Sequence, residues 1–411
     1  MGAGVSGLTA AYLLQETHHV TLFEADDRLG GHAHTHDVDL SDGSTVPVDS
    51  GFIVLNDRTY PLLRRLFSEV GVQTRPTEMS MSVTCDGCGT SYKGGTGADG
   101  IFAQRRNALS PTFWKLLLSI RRFQKAALEL VEADPADSEG LTYGDFLEQH
   151  RFDAHFVTHY ALPVVSCVWS MGHKEALDYP AAYLFAFLRH HGFLTLGDAP
   201  TWHTVEGGSR AYVGAITERL DVVRTGRRVL AVSRKPDAME LDVADADGGP
   251  SEHLAFDKVV IATHADTALE LLTDAGDDER EVLGTFGYST NVTWLHRDAS
   301  FLPGHARSQA SWNYRLEDCD TVSDRTRVTY WMNRLQGHPE SEPLLVTLNP
   351  EESAAPSDVV AKMSYSHPTY TADSVAAQKR LAGLNSDRLA FAGAYQGWGF
   401  HEDGCRSGVE A

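Results

Sequence analysis

Apolar residues along this chain recur in two rhythms, and each predicts a different kind of element. Leu8 to Leu14 is a compact apolar stretch behind a glycine-rich start, and Pro111 to Val131 carries an apolar stripe at helical spacing, so both predict helices. A further helix is expected through Glu69 with Asp57 as its N-cap. Short runs rich in branched residues predict strands at 19–23, 227–232, 239–243, 253–261, 291–296, 326–333, 344–348 and 388–394. Asp245 to Gly249 supplies a turn between two of them.

Grouped by rhythm, residues 56–199 read as mostly helical and 276–384 as mostly strands. Residues 1–55, 200–275 and 385–411 are set apart instead by glycine-rich loops and short apolar strands. The chain thus enters one body three times and a second body twice. The crevice between them is the expected place for a site.

The first body opens on Gly2-Ala3-Gly4-Val5-Ser6-Gly7, followed by a helix, a strand and Glu24. Gly2 permits a tight turn, Gly4 lets backbone N–H groups approach a pyrophosphate, and Gly7 lets the helix lie close to the sheet. Glu24 stands about 20 residues on, where an acid accepts the hydrogen bonds of an adenosine ribose. A glycine-rich helix start with no ligand is the plain alternative, but it does not call for the strand and acid that follow. The pattern also calls for a strand ahead of Gly2, where this sequence begins, so the sheet is expected to lack its central strand.

Three dispersed segments extend the picture: Arg28-Leu29-Gly30-Gly31-His32, the strand Lys258 to Ala265, and Arg388 to Ala394 followed by the loop and helix from Gly397 to Gly408. Together with the first glycines they resemble the FAD-dependent amine oxidase and phytoene desaturase superfamily. Gly31 to Thr35, Val48 to Asn56, Thr204 to Arg210, Ala310 to Tyr314, Tyr330 to Gln336 and His401 to Gly404 are similar to a bacterial amine-oxidase-like subgroup. The resemblance covers nearly the whole chain. It implies an α/β fold with a Rossmann-type FAD-binding domain interleaved with a mixed α+β substrate domain. It further implies that FAD is held by Gly2, Gly4, Val5, Ser6, Gly7, Glu24, Ala25, Arg28, Gly30, Gly31, His32, Ser50, Gly51, Val229, Ala262, Thr263, Gly393, Ala394 and Gly404.

Composition narrows the function classes. A chain of 411 residues that is 42% hydrophobic can bury a large core. A net charge of -21 argues against nucleic acid as a partner, because phosphates call for Lys and Arg. The longest apolar run, Ala181 to Leu188, falls short of the roughly 18 residues that a bilayer requires. With no signal-peptide pattern, a cytoplasmic protein is expected, with peripheral membrane contact left open. Five cysteines make no disulfide framework. Cys85-Asp86-Gly87-Cys88 lacks a second pair, so zinc would need ligands from elsewhere; a turn between two strands is the expected reading, and no metal is expected there or at the alternating His32, His34 and His36.

The chemistry implied is transfer of a hydride to the flavin. Amine oxidases of the superfamily usually carry a lysine near the reacting flavin atom, on the strand matching Gly287 to Thr293, and this sequence has none there. That favours dehydrogenation of a hydrophobic, lipid-like molecule, with amine oxidation and a flavin-bound isomerase or non-redox protein as alternatives. Tyr395, Trp398, Phe400 and Trp202 are expected to form an aromatic wall, or else ordinary packing. His401 and Glu402 are the candidate acid/base pair, with capping of the last helix as the alternative for Glu402 or Asp403. Arg210 is a candidate for an anionic head group, or a surface ion pair. The electron acceptor is not legible.

Overall fold

The computed structural model describes residues 1–134, 138–194, 199–320, 325–351 and 354–411. Its centre is the helix Val5–Leu14, buried on every residue from Val5 to Ala11. A helix apolar on all sides must be enclosed, and two parallel strand pairs beneath it begin that enclosure. Thr21–Phe23 pairs with Val222–Arg224, and Val259–Ile261 pairs with Leu389–Phe391. Met1 to Ala3 bridges the pairs: Gly2 N–H donates to Phe23 O at 2.8 Å, the Met1 amino group to Val260 O at 2.8 Å, and Ala262 N–H to Met1 O at 2.9 Å. These first residues occupy the central position that the sequence pattern leaves open.

The strand expected over 253–261 is two strands in different layers. Glu252–Phe256, half-exposed in alternation, completes a three-stranded antiparallel sheet with Arg227–Arg234 and Met239–Asp245. Val259–Ile261 enters the covered parallel layer instead. Antiparallel strands tolerate one wet face and parallel ones do not, so the pattern breaks at Asp257 and Lys258.

The second body is a seven-stranded sheet in the order 359–369, 287–296, 345–348, 328–331, 312–316, 81–85 and 91–94. Trp312–Leu316 and Met81–Cys85 run parallel, and the other neighbours are antiparallel. Residues 56–199 are mostly helical, yet they also lend this sheet Met81–Cys85, which pairs with a strand more than 200 residues away. The strand expected over 326–333 is also shorter, ending at Trp331 and passing into the helix Met332–Gln336. On this sheet rests a helical lobe that includes Pro111–Glu132, Leu162–Trp169 and Ala181–His190. Phe185 packs at its heart, 5.5 Å from Phe123 and 4.6 Å from Phe146 between ring centroids.

The helix expected to begin at Asp57 spans Pro61–Val70 and has no side-chain cap of its own. Asp57 instead accepts from Thr201 N–H at 3.0 Å. The free N–H groups of Leu62 and Leu63 donate to the Glu402 carboxylate, each at 2.9 Å, so the anion at this helix start comes from 340 residues away. Glu402 lies on the last helix, His401–Glu410, which also packs directly on the first. A Cβ at Gly408 would stand 2.3 Å from Ser6 O, and one at Gly404 2.6 Å from Val5 Cγ1. Among the described residues no helix is long and apolar enough to cross a membrane.

Gly408→Val is expected to force these two helices apart and lower stability by about 1–3 kcal/mol, the usual cost of overpacking. Gly383→Ala, with open space where its Cβ would lie, is expected to leave thermal unfolding unchanged. Melting curves of the two variants beside the parent test this, and equal midpoints for all three would refute the packing argument.

Candidate active site

A cavity of about 690 Å³ runs from the glycine loop to the aromatic residues ahead of the last helix. Its outer end is built by the start of the first helix. Gly4 caps that helix without any side-chain acceptor, so the first-turn N–H groups are available to an anion. Gly4 lines the cavity, and no atom lies within 4 Å of where its Cβ would stand. Gly2 sits at φ +87°, and a Cβ on Gly7 would be 1.9 Å from Gly2 O, so glycine is required for the loop to double back on its helix. Glu24 ends its strand with its carboxylate accepting from the N–H groups of Ala3 at 2.7 Å and Asp26 at 3.0 Å. Arg28 ties the next loop by donating to Leu29 O and Ala33 O, and Gly30 N–H donates to Ala3 O at 2.9 Å. Gly31, at φ +57°, brings this loop so close that its Cβ would stand 3.2 Å from Gly4 Cα.

The inner end is aromatic. Trp202, Tyr395, Trp398 and Phe400 all line it, as the sequence leads one to expect. Gln378 holds the loop that carries three of them, donating to Tyr395 O at 2.8 Å and Gly397 O at 2.7 Å. From the helical lobe, Trp169 donates its indole N–H to Trp398 O at 3.3 Å, and Phe187 stacks on Phe400 with centroids 4.7 Å apart. Sequence reasoning misses Tyr60, Trp169, His191, Tyr288, Tyr365 and His367, which also line the cavity. They are single aromatic or histidine residues in or beside ordinary helices and strands, and no local signal separates them from core residues.

Charge is confined to one end. Glu24, Asp26 and Arg28 are the charged side chains among the lining residues, and all three belong to the nucleotide-loop end. The lining histidines are held neutral by burial, which pushes His401 and His191 down to about 3 and His367 to about 4. His32 also lies well below its ordinary value, through burial first and then the neighbouring His367. The His401 ring stacks on Phe52 at 3.7 Å, and among the described residues neither its Nε2 nor Nε2 of His32 has a hydrogen-bond partner. A buried polar atom left unmade costs about 1–3 kcal/mol, so two such atoms on one cavity wall fit a ligand that supplies their partners. The open glycine cradle, the uncapped helix start and these nitrogens together fit a dinucleotide carrying a ring system.

Of the residues that the sequence assigns to the cofactor, Gly2, Gly4, Val5, Ser6, Glu24, Arg28, Gly31, His32, Ser50, Gly51, Ala262, Thr263, Gly393 and Ala394 line the cavity. Gly7, Ala25, Gly30, Val229 and Gly404 do not. Gly7, Gly30 and Gly404 instead allow close backbone approach, and Val229 is buried in the core of the antiparallel sheet. Glu402 is absent from the wall, its carboxylate being engaged by Leu62 and Leu63, which separates it from His401 as an acid/base partner. Asp403 caps the last helix, accepting from Phe400 N–H at 3.1 Å and pairing with Arg406 at 3.0 Å. Arg210 forms a two-pronged surface pair with Asp37 at 2.7 and 2.6 Å and is not among the residues that line the cavity. The His34 and His36 rings lie side by side with centroids 4.1 Å apart, His34 bonding the Tyr365 hydroxyl and His36 bonding Ser50, each at 2.9 Å, whereas His32 packs against Tyr365 and His367. No lysine is among the lining residues; Lys362, two residues before the lining Ser364, lies over the Trp294 ring at 3.9 Å.

Known proteins carry the same architecture. The fold matches cyclohexylamine oxidase from Brevibacterium oxydans with TM-score 0.69 at 16% identity, covering 100% of this chain and 96% of that one. It matches a fatty acid isomerase from P. acnes with TM-score 0.68 at 15% identity, covering 99% and 95%. At such identities the likeness is one of fold. In sequence, the chain is 32% identical over 160 residues to the carotenoid phi-ring synthase of Streptomyces griseus, covering 37% of this chain and 31% of that protein. It is 26% identical over 273 residues to the flavin-dependent L-tryptophan oxidase RebO of Lentzea aerocolonigenes, covering 60% and 54%. The matched regions thus span only about a third and half of those two relatives. Residues 5–347 match the family model of flavin containing amine oxidoreductases, and the chain belongs to that family.

Proposed function

We propose that this enzyme dehydrogenates a neutral, hydrophobic substrate, of desaturase type, at the aromatic end of its cavity. The observation that carries the reading is that, among the described residues, no charged side chain lines the cavity beyond the nucleotide-loop end. An ammonium group would meet no carboxylate there, whereas an apolar chain or ring gains by burial against Trp202, Tyr395, Trp398 and Phe400. The 32% identical segment shared with a carotenoid phi-ring synthase, named for an apolar polyene, supports the same substrate class.

Bound FAD supplies the two-electron acceptor. The chain's own residues bind and orient. The first-turn N–H groups and Gly4 receive the pyrophosphate, Glu24 the ribose, and the aromatic wall excludes water from the reacting carbon. His401, suggested by the sequence as a proton acceptor, is held neutral by burial. Its neutral, unpartnered Nε2 is suited to an orienting hydrogen bond instead.

Anaerobic mixing with a micelle-dispersed carotenoid precursor, a long-chain unsaturated fatty acid, cyclohexylamine and tryptophan tests the substrate class. Bleaching of the oxidised flavin by an apolar compound and not by either amine is expected, with slow reoxidation by oxygen because no lysine lines the cavity among the described residues. Fast reduction by an amine would overturn the reading, and product formed without bleaching would favour isomerisation.

Gly4→Val is expected to fold normally, because Gly4 has φ -71°, yet to lose most of its FAD, because the side chain fills the cradle. Flavin absorbance per chain measures this, and full occupancy in the variant would sink the cofactor assignment.

The cavity histidines also set a pH limit. In the unfolded chain they take up protons below about their ordinary 6.5, whereas His401, His191 and His367 stay neutral in the fold down to 3–4. Their contribution to stability is therefore complete above about pH 6.5 and declines as the pH falls toward 4. Asp49 and Asp403, raised by burial from 3.8 to about 6, act in the opposite sense across a narrower window. A falling melting temperature from pH 7 to 5 is expected, and a rising one would show that the carboxylates dominate.

A further inference from the structure

Far from the glycine loop in sequence, three cysteines and a histidine converge from three separate elements. Cys85 ends the strand Met81–Cys85, and Cys88 lies in the turn that follows. Cys319 lies three residues beyond Leu316, which is paired in parallel register with Cys85. His159 comes from a π-helical turn, Val157–Ala161, inserted in the helical lobe, and such turns frequently mark functional sites. All four ligand atoms lie within 4.8 Å of one another.

The spacing has the dimensions of a tetrahedral site. Zn–S bonds of about 2.3 Å and Zn–N bonds of about 2.0 Å at tetrahedral angles put sulfurs roughly 3.8 Å apart, and sulfur and nitrogen roughly 3.6 Å apart. The structure has Cys85 Sγ to Cys319 Sγ at 3.8 Å, Cys88 Sγ to His159 Nε2 at 3.4 Å and Cys319 Sγ to His159 Nε2 at 3.7 Å. A disulfide would need the sulfurs at about 2.05 Å.

The surroundings orient the ligands. His159 Nδ1 lies 2.9 Å from His155 O; a carbonyl only accepts, so Nδ1 carries the proton and Nε2 turns its lone pair to the sulfurs. Tyr92 donates its hydroxyl to His159 O at 2.6 Å and fixes the turn from behind. The Cys85 to Cys88 turn is docked on the neighbouring strand end. Asp86 N–H donates to Leu316 O at 2.9 Å, and a Cβ on Gly87 would stand 2.8 Å from Asp318 Cα.

We propose that Cys85, Cys88, His159 and Cys319 bind one zinc ion in a closed tetrahedral site that fastens the helical lobe to the large sheet. Binding displaces the thiol protons of the three cysteines to solvent, forms three Zn–S bonds and one Zn–N bond, and involves no oxidant. Four protein ligands leave no position for substrate, so the site is structural. Its reach into catalysis is mechanical, because the π turn continues directly into Leu162–Trp169, whose Trp169 lines the cavity.

Metal analysis of protein purified without chelator is expected to find one zinc per chain. Cys88→Ser, at an exposed position, and His159→Gln are each expected to lower zinc content at least ~10-fold, while Cys405→Ser, outside the cluster, keeps it. Because a variant can fail through misfolding, the parent is also stripped with a chelator and titrated with Co²⁺. The thiolate charge-transfer and ligand-field absorption of tetrahedral cobalt is expected, with a melting temperature that recovers on zinc addition. Parent protein without zinc and without that cobalt spectrum would overturn the proposal. So would a Cys85–Cys319 disulfide in anaerobically purified protein.

Discussion

The start of the helix Val5–Leu14 is the feature on which the rest of this molecule depends. Among the described residues no side chain caps its first-turn N–H groups, and they can face a cavity only if the chain before and after them stays out of the way. Gly2, Gly4 and Gly7 achieve this on one side by folding the loop tightly and leaving the cradle open. Gly404 and Gly408 achieve it on the other, letting the last helix lie against the first so that the two ends of the chain close around one site. The helix is thereby buried from Val5 to Ala11 but open at its positive end, which is the geometry of an anion site.

A second constraint is the separation of charge along the cavity. The nucleotide-loop end carries Glu24, Asp26 and Arg28, whereas the inner end relies on aromatic rings and histidines that burial keeps neutral. Water excluded by packed rings strengthens every remaining hydrogen bond, so the unpartnered nitrogens of His32 and His401 gain weight as orienting groups and lose it as bases. This neutrality, rather than any single residue, shapes what chemistry the inner end admits.

The two bodies are held together by contacts across long stretches of chain. Glu402 on the last helix supplies the N-terminal anion for Pro61–Val70, and Trp169 of the helical lobe reaches the Trp398 carbonyl in the cofactor-facing loop. The strands 81–85 and 91–94, encoded among helices, complete a sheet made mainly by residues 287–369. Each such contact joins an element of one body to the wall of the site, so wall geometry is a property of the whole fold.

The glycine loop, Glu24, the Gly30-Gly31 turn and the aromatic segment before the last helix were legible in the sequence, because each is a local arrangement whose backbone demands are met by neighbouring residue types. The fold class and the cofactor followed from their order along the chain. Tertiary structure alone decided the rest. Glu402 looked like half of an acid/base pair with His401, but adjacent positions on a helix point about 100° apart, and it caps a different helix. Tyr60, Trp169, His191 and His367 joined the wall from elements with no unusual pattern. Cys85 and Cys88 read as a turn, since the sequence does not reveal that His159 and Cys319 arrive beside them. Local sequence constrains backbone conformation over a few residues, whereas convergence depends on how distant elements pack, and no window along the chain contains that information.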